Sequence, residues 1–279
     1  MAVSSAQAPA RRRWRLPSGV SRVGLLLLVL TVLVAVLGPL VSPFDPSATI
    51  GIPGLGASSG SPLGYDFLGR DVLSRLLSGG RSTLLLGFSA TLLTYAVGMT
   101  IGLLAGFRRS LVDTVLMRTM DLVLAFPAML VMLLVVTAFG GSAALLVCAA
   151  ALVLCPGVAR VVRTATTTVV DRSFVEAAVA RGESTPAILR NEVLPNIVAP
   201  IVADLGVRFG WAIILIASVN YLGLGLQPPT ADWGLMIAEN RSVISSNPWA
   251  VLGPSAMLGV LVVSVNLIGD SLVRRLGRR

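Results

Sequence analysis

Long apolar runs separated by short polar stretches set the outline of this chain. A helix needs about 20 apolar residues to cross the hydrocarbon core of a bilayer. Six stretches approach that length: 23–41, 84–106, 122–140, 143–162, 197–225 and 250–270. The pattern predicts an all-α polytopic membrane protein with six transmembrane helices. The first run follows Arg11, Arg12, Arg13, Arg15 and Arg22, which is also the layout of a signal peptide. It is long for a signal, however, and Val41-Ser42-Pro43 follows it rather than a small-residue cleavage site. It reads as an uncleaved first helix. The chain then divides into a basic tail (1–22), the first helix (23–41), a loop (42–81), a five-helix core (82–273) and a basic end (274–279).

Two connecting segments are too long to be simple links. Residues 42–81 are rich in Gly, Pro and Ser between Gly51 and Pro62 and read as irregular and mobile. They end in a short amphipathic stretch with Phe67, Leu68, Val72, Leu76 and Leu77 near one face and Asp71 and Arg75 four apart on another. An interfacial helix and a docking surface for an external partner both fit. The segment 163–196 reads as a helix–turn–helix. Ser173 and Glu176 have capping-box spacing, Gly182 is placed to end a helix in the left-handed conformation, and Thr185-Pro186 starts a second. That second helix is expected to stop at Pro195, before the fifth span. A structured elbow of this kind suits the passing of a mechanical push; a rigid tie between two spans is the plainer reading.

Composition narrows the chemistry. Apolar residues make up 55% and charged ones only 13%, about half the usual charged share, which excludes an ordinary soluble domain, a disordered chain and a coiled coil. The net charge is +9, and every cationic side chain is Arg. Without Lys there is no Walker A loop. Without His there is no imidazole base and no His-ligated metal, and Cys148 and Cys155 alone cannot complete a zinc site. The two thiols read as small lipid- or core-facing residues. With the N-terminus inside, 17 arginines fall in inside segments and four outside, as the positive-inside rule requires. Both termini are therefore expected in the cytoplasm, with the basic tails on anionic lipid and no call for nucleic acid. Leu77-Ser78-Gly79-Gly80-Arg81 mimics a nucleotide-binding signature of ATPases, but on the outer side and without the Walker Lys it is chance.

Several motifs together resemble one family. Glu176-Ala177-Ala178, then Gly182 and Leu194-Pro195, resembles the EAA loop of ABC importer permeases. Pro62-Leu63-Gly64-Tyr65-Asp66-Phe67-Leu68-Gly69-Arg70-Asp71-Val72-Leu73-Ser74-Arg75 is similar to the segment before the second span in the dipeptide and oligopeptide "C"-type permeases. So are Met117-Arg118 with Asp121 and Phe126-Pro127, Tyr221-Leu222-Gly223-Leu224-Gly225-Leu226-Gln227-Pro228-Pro229, Trp233-Gly234-Leu235-Met236 and Asn266-Leu267-Ile268-Gly269-Asp270, in family order over about 60–279. The resemblance implies a type I importer permease core in a bacterial cytoplasmic membrane. A second permease subunit, in a heterodimer, would complete the pore. Two ABC ATPase subunits would bind ATP and Mg and receive the loop at Ser173, Glu176, Ala177, Ala178, Gly182, Leu194 and Pro195. An extracytoplasmic binding protein would deliver short peptides. The chain itself would hold no cofactor, no metal and no catalytic residue.

The sequence departs from the family in three places. Glu192-Val193 stands where His-Ile is usual, Ile216 where the fifth span often carries Glu, and Leu276-Gly277-Arg278-Arg279 where an Asp-Pro tail is common. Ionisable groups within a span are costly and usually functional. Asp204 and Arg208 share a face of the fifth span and read either as a self-neutralising pair against another helix or as part of the translocation path, with Arg208 meeting a peptide carboxylate. Gly98, Gly102 and Gly106 form a small-residue stripe for close packing, within the subunit or between subunits. Pro127, Pro156 and Gly157 are expected to kink or tighten their helices. A permease for a metal chelate, haem or another small solute is the alternative within the class. A stand-alone secondary transporter would need mid-membrane relays, and Asp204 and Arg208 are the only groups available for one. A membrane-embedded enzyme lacks the residues for a catalytic constellation.

Overall fold

The computed structural model describes residues 19–276, and it is helical with no named strand among them. Most of the N-terminal basic tail and the last three residues lie outside the described residues. In chain order the long helices are α1 (Gly19–Val41), α2 (Val72–Arg108), α3 (Leu111–Leu124), α4 (Ala128–Phe139) and α5 (Ala143–Val170). Short α6 (Ser173–Ala180) and α7 (Thr185–Ile188) lead through a π-helical turn (Leu189–Val193) into α8 (Leu194–Tyr221). Then come α9 (Trp233–Glu239) and α10 (Trp249–Leu276). Five of the spans are single helices long and apolar enough to cross a membrane. The expected third span, 122–140, is instead a broken one. α3 and α4 meet at an 83° bend at Ala125-Phe126-Pro127, where the proline can neither donate to the preceding turn nor tolerate its carbonyl. Pro156 by contrast lies inside an unbroken α5.

The helices alternate in direction. Gly24 of α1 lies against Leu267 of α10, and Gly38 against Leu77 of α2. α2 and α5, separated by the broken span, run parallel and are the closest pair. A methyl group at Gly98 would sit 2.9 Å from Val158 Cβ, one at Gly102 2.6 Å from the Ala159 carbonyl oxygen, and one at Gly106 2.7 Å from Thr166 Cβ. The glycine stripe thus packs within the subunit, bringing two backbones together where no side chain fits. Cys155 is buried at this joint and Cys148 is exposed, matching the two environments expected of the thiols. Gly79 and Gly80, from the misleading ATPase-like string, serve packing too. A methyl group at Gly80 would be 2.6 Å from the Trp233 ring and 2.8 Å from Ala35 Cβ.

At the end of the bundle opposite the termini, residues 42–71 do not form a slack loop. α2 is 37 residues long, about 56 Å at 1.5 Å per residue, so its first turns project beyond the span and the segment folds around them. The amphipathic stretch is the start of α2, not a separate helix. Asp71 and Arg75 are not paired: Asp71 caps α2 by accepting from the Ser74 amide at 2.7 Å and from the Ser61 hydroxyl. Arg75 donates to Glu239 at 2.7 Å and stands 3.4 Å from Asp66, which also takes Arg70 Nε at 2.6 Å. Arg70 reaches Glu239 as well, at 3.1 Å. Two arginines and two carboxylates, each side chain no more than 6% exposed, neutralise one another in a dry cluster. Burial pushes the Glu239 carboxyl up, against the pull of the two arginines.

A second polar knot lies beside the first. Asp232 caps α9 and accepts from Thr83 at 2.7 Å and Asn220 at 2.9 Å, with burial raising its pKa. Asn240 accepts the Phe67 amide at 3.0 Å, and Asn247 donates to the Leu63 and Tyr65 carbonyls at 2.9 and 3.0 Å. The segments 42–71 and 227–248 are thereby clamped into one cap. Removing one partner of a buried ion cluster leaves a charge uncompensated and costs about 3–5 kcal/mol. Arg75→Leu is therefore expected to lower the unfolding midpoint of the detergent-solubilised protein sharply. Arg81→Ala, at an exposed position of the same helix, should leave it nearly unchanged.

Candidate functional site

The elbow at the termini end begins where α5 stops. Arg109, beyond the end of α2, takes a left-handed conformation (φ 40°, ψ 39°). Its guanidinium forks onto Asp171 at 2.7 and 2.9 Å. This hydrogen bond holds the Asp171 carboxyl below its usual range. The end of α2 is thus tied to the foot of the elbow. α6 then starts one residue earlier than its spacing suggests: Arg172 is the N-cap without a side-chain bond, and Ser173 is the first helical residue. The capping box of Ser173 and Glu176 does not form. The C-terminal expectation does hold. Gly182 has φ +76°, its amide donates to the Val179 carbonyl at 2.9 Å, and the Glu183 amide donates to Ala178 at 3.2 Å. That is the paired bonding of a Schellman stop.

α6 is seated by one face. Val175 and Ala178 are buried with Ile188, Val193, Ile197, Val158 and Tyr95 in one apolar cluster, with Leu194 packed against it. Phe174, Glu176, Ala177, Val179 and Arg181 face outward. A short helix is therefore held rigidly from below while its upper face presents Phe174, Ala177 and Val179 uncovered by the rest of the chain. Pro195, expected to stop the second helix, does not. The chain stays helical from Thr185 to Tyr221, because the turn Leu189–Val193 widens so that the Leu194 amide reaches the Leu189 carbonyl. An extra residue in the turn relieves the clash a proline brings to a regular helix. The elbow is thus continuous with α8, and Pro195 lies exposed in the first turn of that helix.

Within the bundle, Asp204 and Arg208 do pair along α8, Nε to carboxylate at 3.0 and 3.2 Å. Tyr95 of α2 donates its hydroxyl to Asp204 at 2.9 Å. The guanidinium lies against α5 at Gly157, where a methyl group would be 2.4 Å from Nη1. Gly157 thus makes room for a charge rather than kinking its helix. Ile216 is buried among Leu86, Val136 and Leu215, so the absent carboxylate leaves no break in a polar surface.

Two open clefts flank α5 toward the termini end. One, about 410 Å³, lies between α3 and α5 and is lined by Asp113, Met117, Arg118, Asp121, Arg160 and Arg163, with Thr114 and Thr164. The other, about 650 Å³, lies between α5 and α8 and includes Arg160, Thr164, Thr168, Arg172, Asn196 and Pro200. Arg163 grips Asp113 through two 2.6 Å bonds, and Arg160 meets Asp121 through one of 2.6 Å. Sequence reasoning singled out Arg118 and Asp121 only as parts of a motif and missed Arg160. Its partner is 39 residues away, and no local spacing announces it. No group of three or more His, Cys, Asp or Glu side chains that could hold a metal occurs among the described residues.

Residues 98–279 match the family described as binding-protein-dependent transport system inner membrane component. The di/tripeptide transport system permease protein DppC of Pseudomonas aeruginosa is 37% identical over 256 residues, covering 89% of this chain and 84% of that protein. The glutathione transport system permease protein GsiD of Pectobacterium atrosepticum is 36% identical over 272 residues, covering 96% and 90%. Among solved structures, the inward-facing MetNI methionine ABC transporter aligns with TM-score 0.56 at 19% identity. That alignment covers 71% of this chain and 94% of the other and supports the fold alone.

Gly182 has open space around it, so a side chain there is opposed only by the left-handed backbone, at roughly 1–2 kcal/mol. Gly182→Ala should raise hydrogen exchange at the α6 amides several-fold while leaving exchange in α8 unchanged.

Proposed function

The chain belongs to the family of binding-protein-dependent transport system inner membrane components, and we propose that it is a permease subunit importing short peptides through a path it shares with a second, non-identical permease. It is a multi-pass membrane protein. On this reading it lies in a bacterial cytoplasmic membrane with both termini inside, as the distribution of arginines favours. ATP and Mg are bound by two ATPase subunits or domains, and hydrolysis happens there, not in this chain. An extracytoplasmic binding protein brings the peptide to the end capped by 42–71 and 227–248.

The observation that carries the coupling is the seating of α6. Its inner face is locked into the joint between α5 and α8, and its outer face offers Phe174, Ala177 and Val179 to a groove on another chain. A push on that face is delivered to α8 through the continuous helix and to α2 through Arg109–Asp171, so the spans move as levers in alternating access. The peptide assignment is supported by the relatives, which are permeases for di/tripeptides and glutathione. Asp204 and Arg208 are candidates for the path because Arg208 spends only Nε on Asp204, leaving its terminal nitrogens open among the described residues.

The complex can be reconstituted in proteoliposomes with its partner permease, ATPase and binding-protein chains. ATP hydrolysis is then expected to rise several-fold with di- and tripeptides, and Glu176→Lys, a charge reversal on the outer face of α6, should abolish that rise. Stimulation confined to metal chelates or haem would discard the peptide assignment. Failure of any ATPase to bind would return the chain to the class of stand-alone transporters.

A further inference from the structure

Arg160 stands on the ridge between the two clefts and lines both, as does Thr164. Its position differs in kind from that of its neighbour Arg163. Arg163 is held by a two-bond fork onto Asp113 and lines only one of the two clefts. Arg160 spends one N–H on Asp121 and leaves the rest unused, and both partners are about half exposed, at 54% and 44%. Arg118, in the same cleft, has no ion pair or hydrogen-bonded partner for its side chain among the described residues, and neither has Arg172 in the other cleft. Across the two clefts four arginines thus stand against two aspartates. Arg160 lies ten residues before the end of α5, about 15 Å along the helix, and faces both clefts with open donors. Arg208 packs over Gly157, less than one turn of α5 from Arg160, so the two guanidinium groups follow one another along the same helix.

We infer that Arg160 is a carboxylate-binding residue of the translocation path. Its unused N–H groups receive the C-terminal carboxylate of a peptide after Arg208, and Asp121 acts as the positioning residue that holds the guanidinium on the ridge. This rests on the peptide reading above. A planar guanidinium matches a carboxylate through paired N–H bonds. A single bond to Asp121 keeps Arg160 oriented without consuming that capacity.

The test has two arms. The first is uptake of labelled alanyl-alanine by the complete wild-type complex in proteoliposomes; no uptake would overturn the peptide reading and this inference with it. The second measures displacement of the label from the nucleotide-free permease–ATPase complex by alanyl-alanine and by its C-terminal amide. Wild type should prefer the free carboxylate at least tenfold, the scale of one charge-assisted hydrogen bond. Arg160→Gln should reduce that preference severalfold by weakening the free peptide while leaving the amide unchanged, and Arg160→Lys should restore part of it. Uptake with an undiminished preference in Arg160→Gln, no preference in wild type, or equal weakening of both ligands would each overturn the inference alone.

Discussion

Everything in this molecule hangs on the contact between two helices that run the same way with almost nothing between them. Gly98, Gly102 and Gly106 let α2 approach the carbonyls and β-branched side chains of α5. Within a bilayer there is little hydrophobic force to draw helices together, so close van der Waals packing has to supply the attraction. Fixing α5 against α2 also fixes everything α5 carries: the slot at Gly157 that admits Arg208, the arginines facing α3, and the foot of the elbow. The other end of α2 holds the cap. One helix therefore spans the whole distance from the capped end to the elbow.

Charge is spent in two ways along that length. In the cap, Arg70, Arg75, Asp66 and Glu239 balance one another's charge and hold loops in place. Toward the termini end the pairs are open and partial, and the positive charge exceeds the negative. Buried ion clusters of the first kind add little net stability over apolar packing but punish any broken partner heavily. That property suits a cap that holds one shape.

Much of this was legible in the sequence because it is local. The apolar runs located the spans, Gly182 announced the end of α6, and the glycine stripe announced a close contact. What failed was also physical. Ser173 and Glu176 have capping-box spacing, but Arg172 takes the cap and Ser173 falls inside the helix. Asp71 and Arg75 have ion-pair spacing, yet a cap and a carboxylate 164 residues away claim them instead. Four-residue spacing predicts a pair only when no better partner arrives from elsewhere, and Asp204–Arg208 is the case where it does predict one. The role of Arg160 could not be read at all, since its meaning lies in the donors left over once Asp121 is counted.

The widened turn at Leu189–Val193 has a geometric consequence. One additional residue without a break in the helix advances the side-chain directions by about 100°. The faces of α7 and α8 are therefore out of phase, and a helical wheel drawn straight from Thr185 would aim Asp204 and Arg208 at the wrong neighbours. The joint acts as an angular offset built into a continuous rod. It lets one continuous element turn the face that seats α6, at Ile188 and Val193, and its charged side in directions that a regular helix of the same sequence length could not combine.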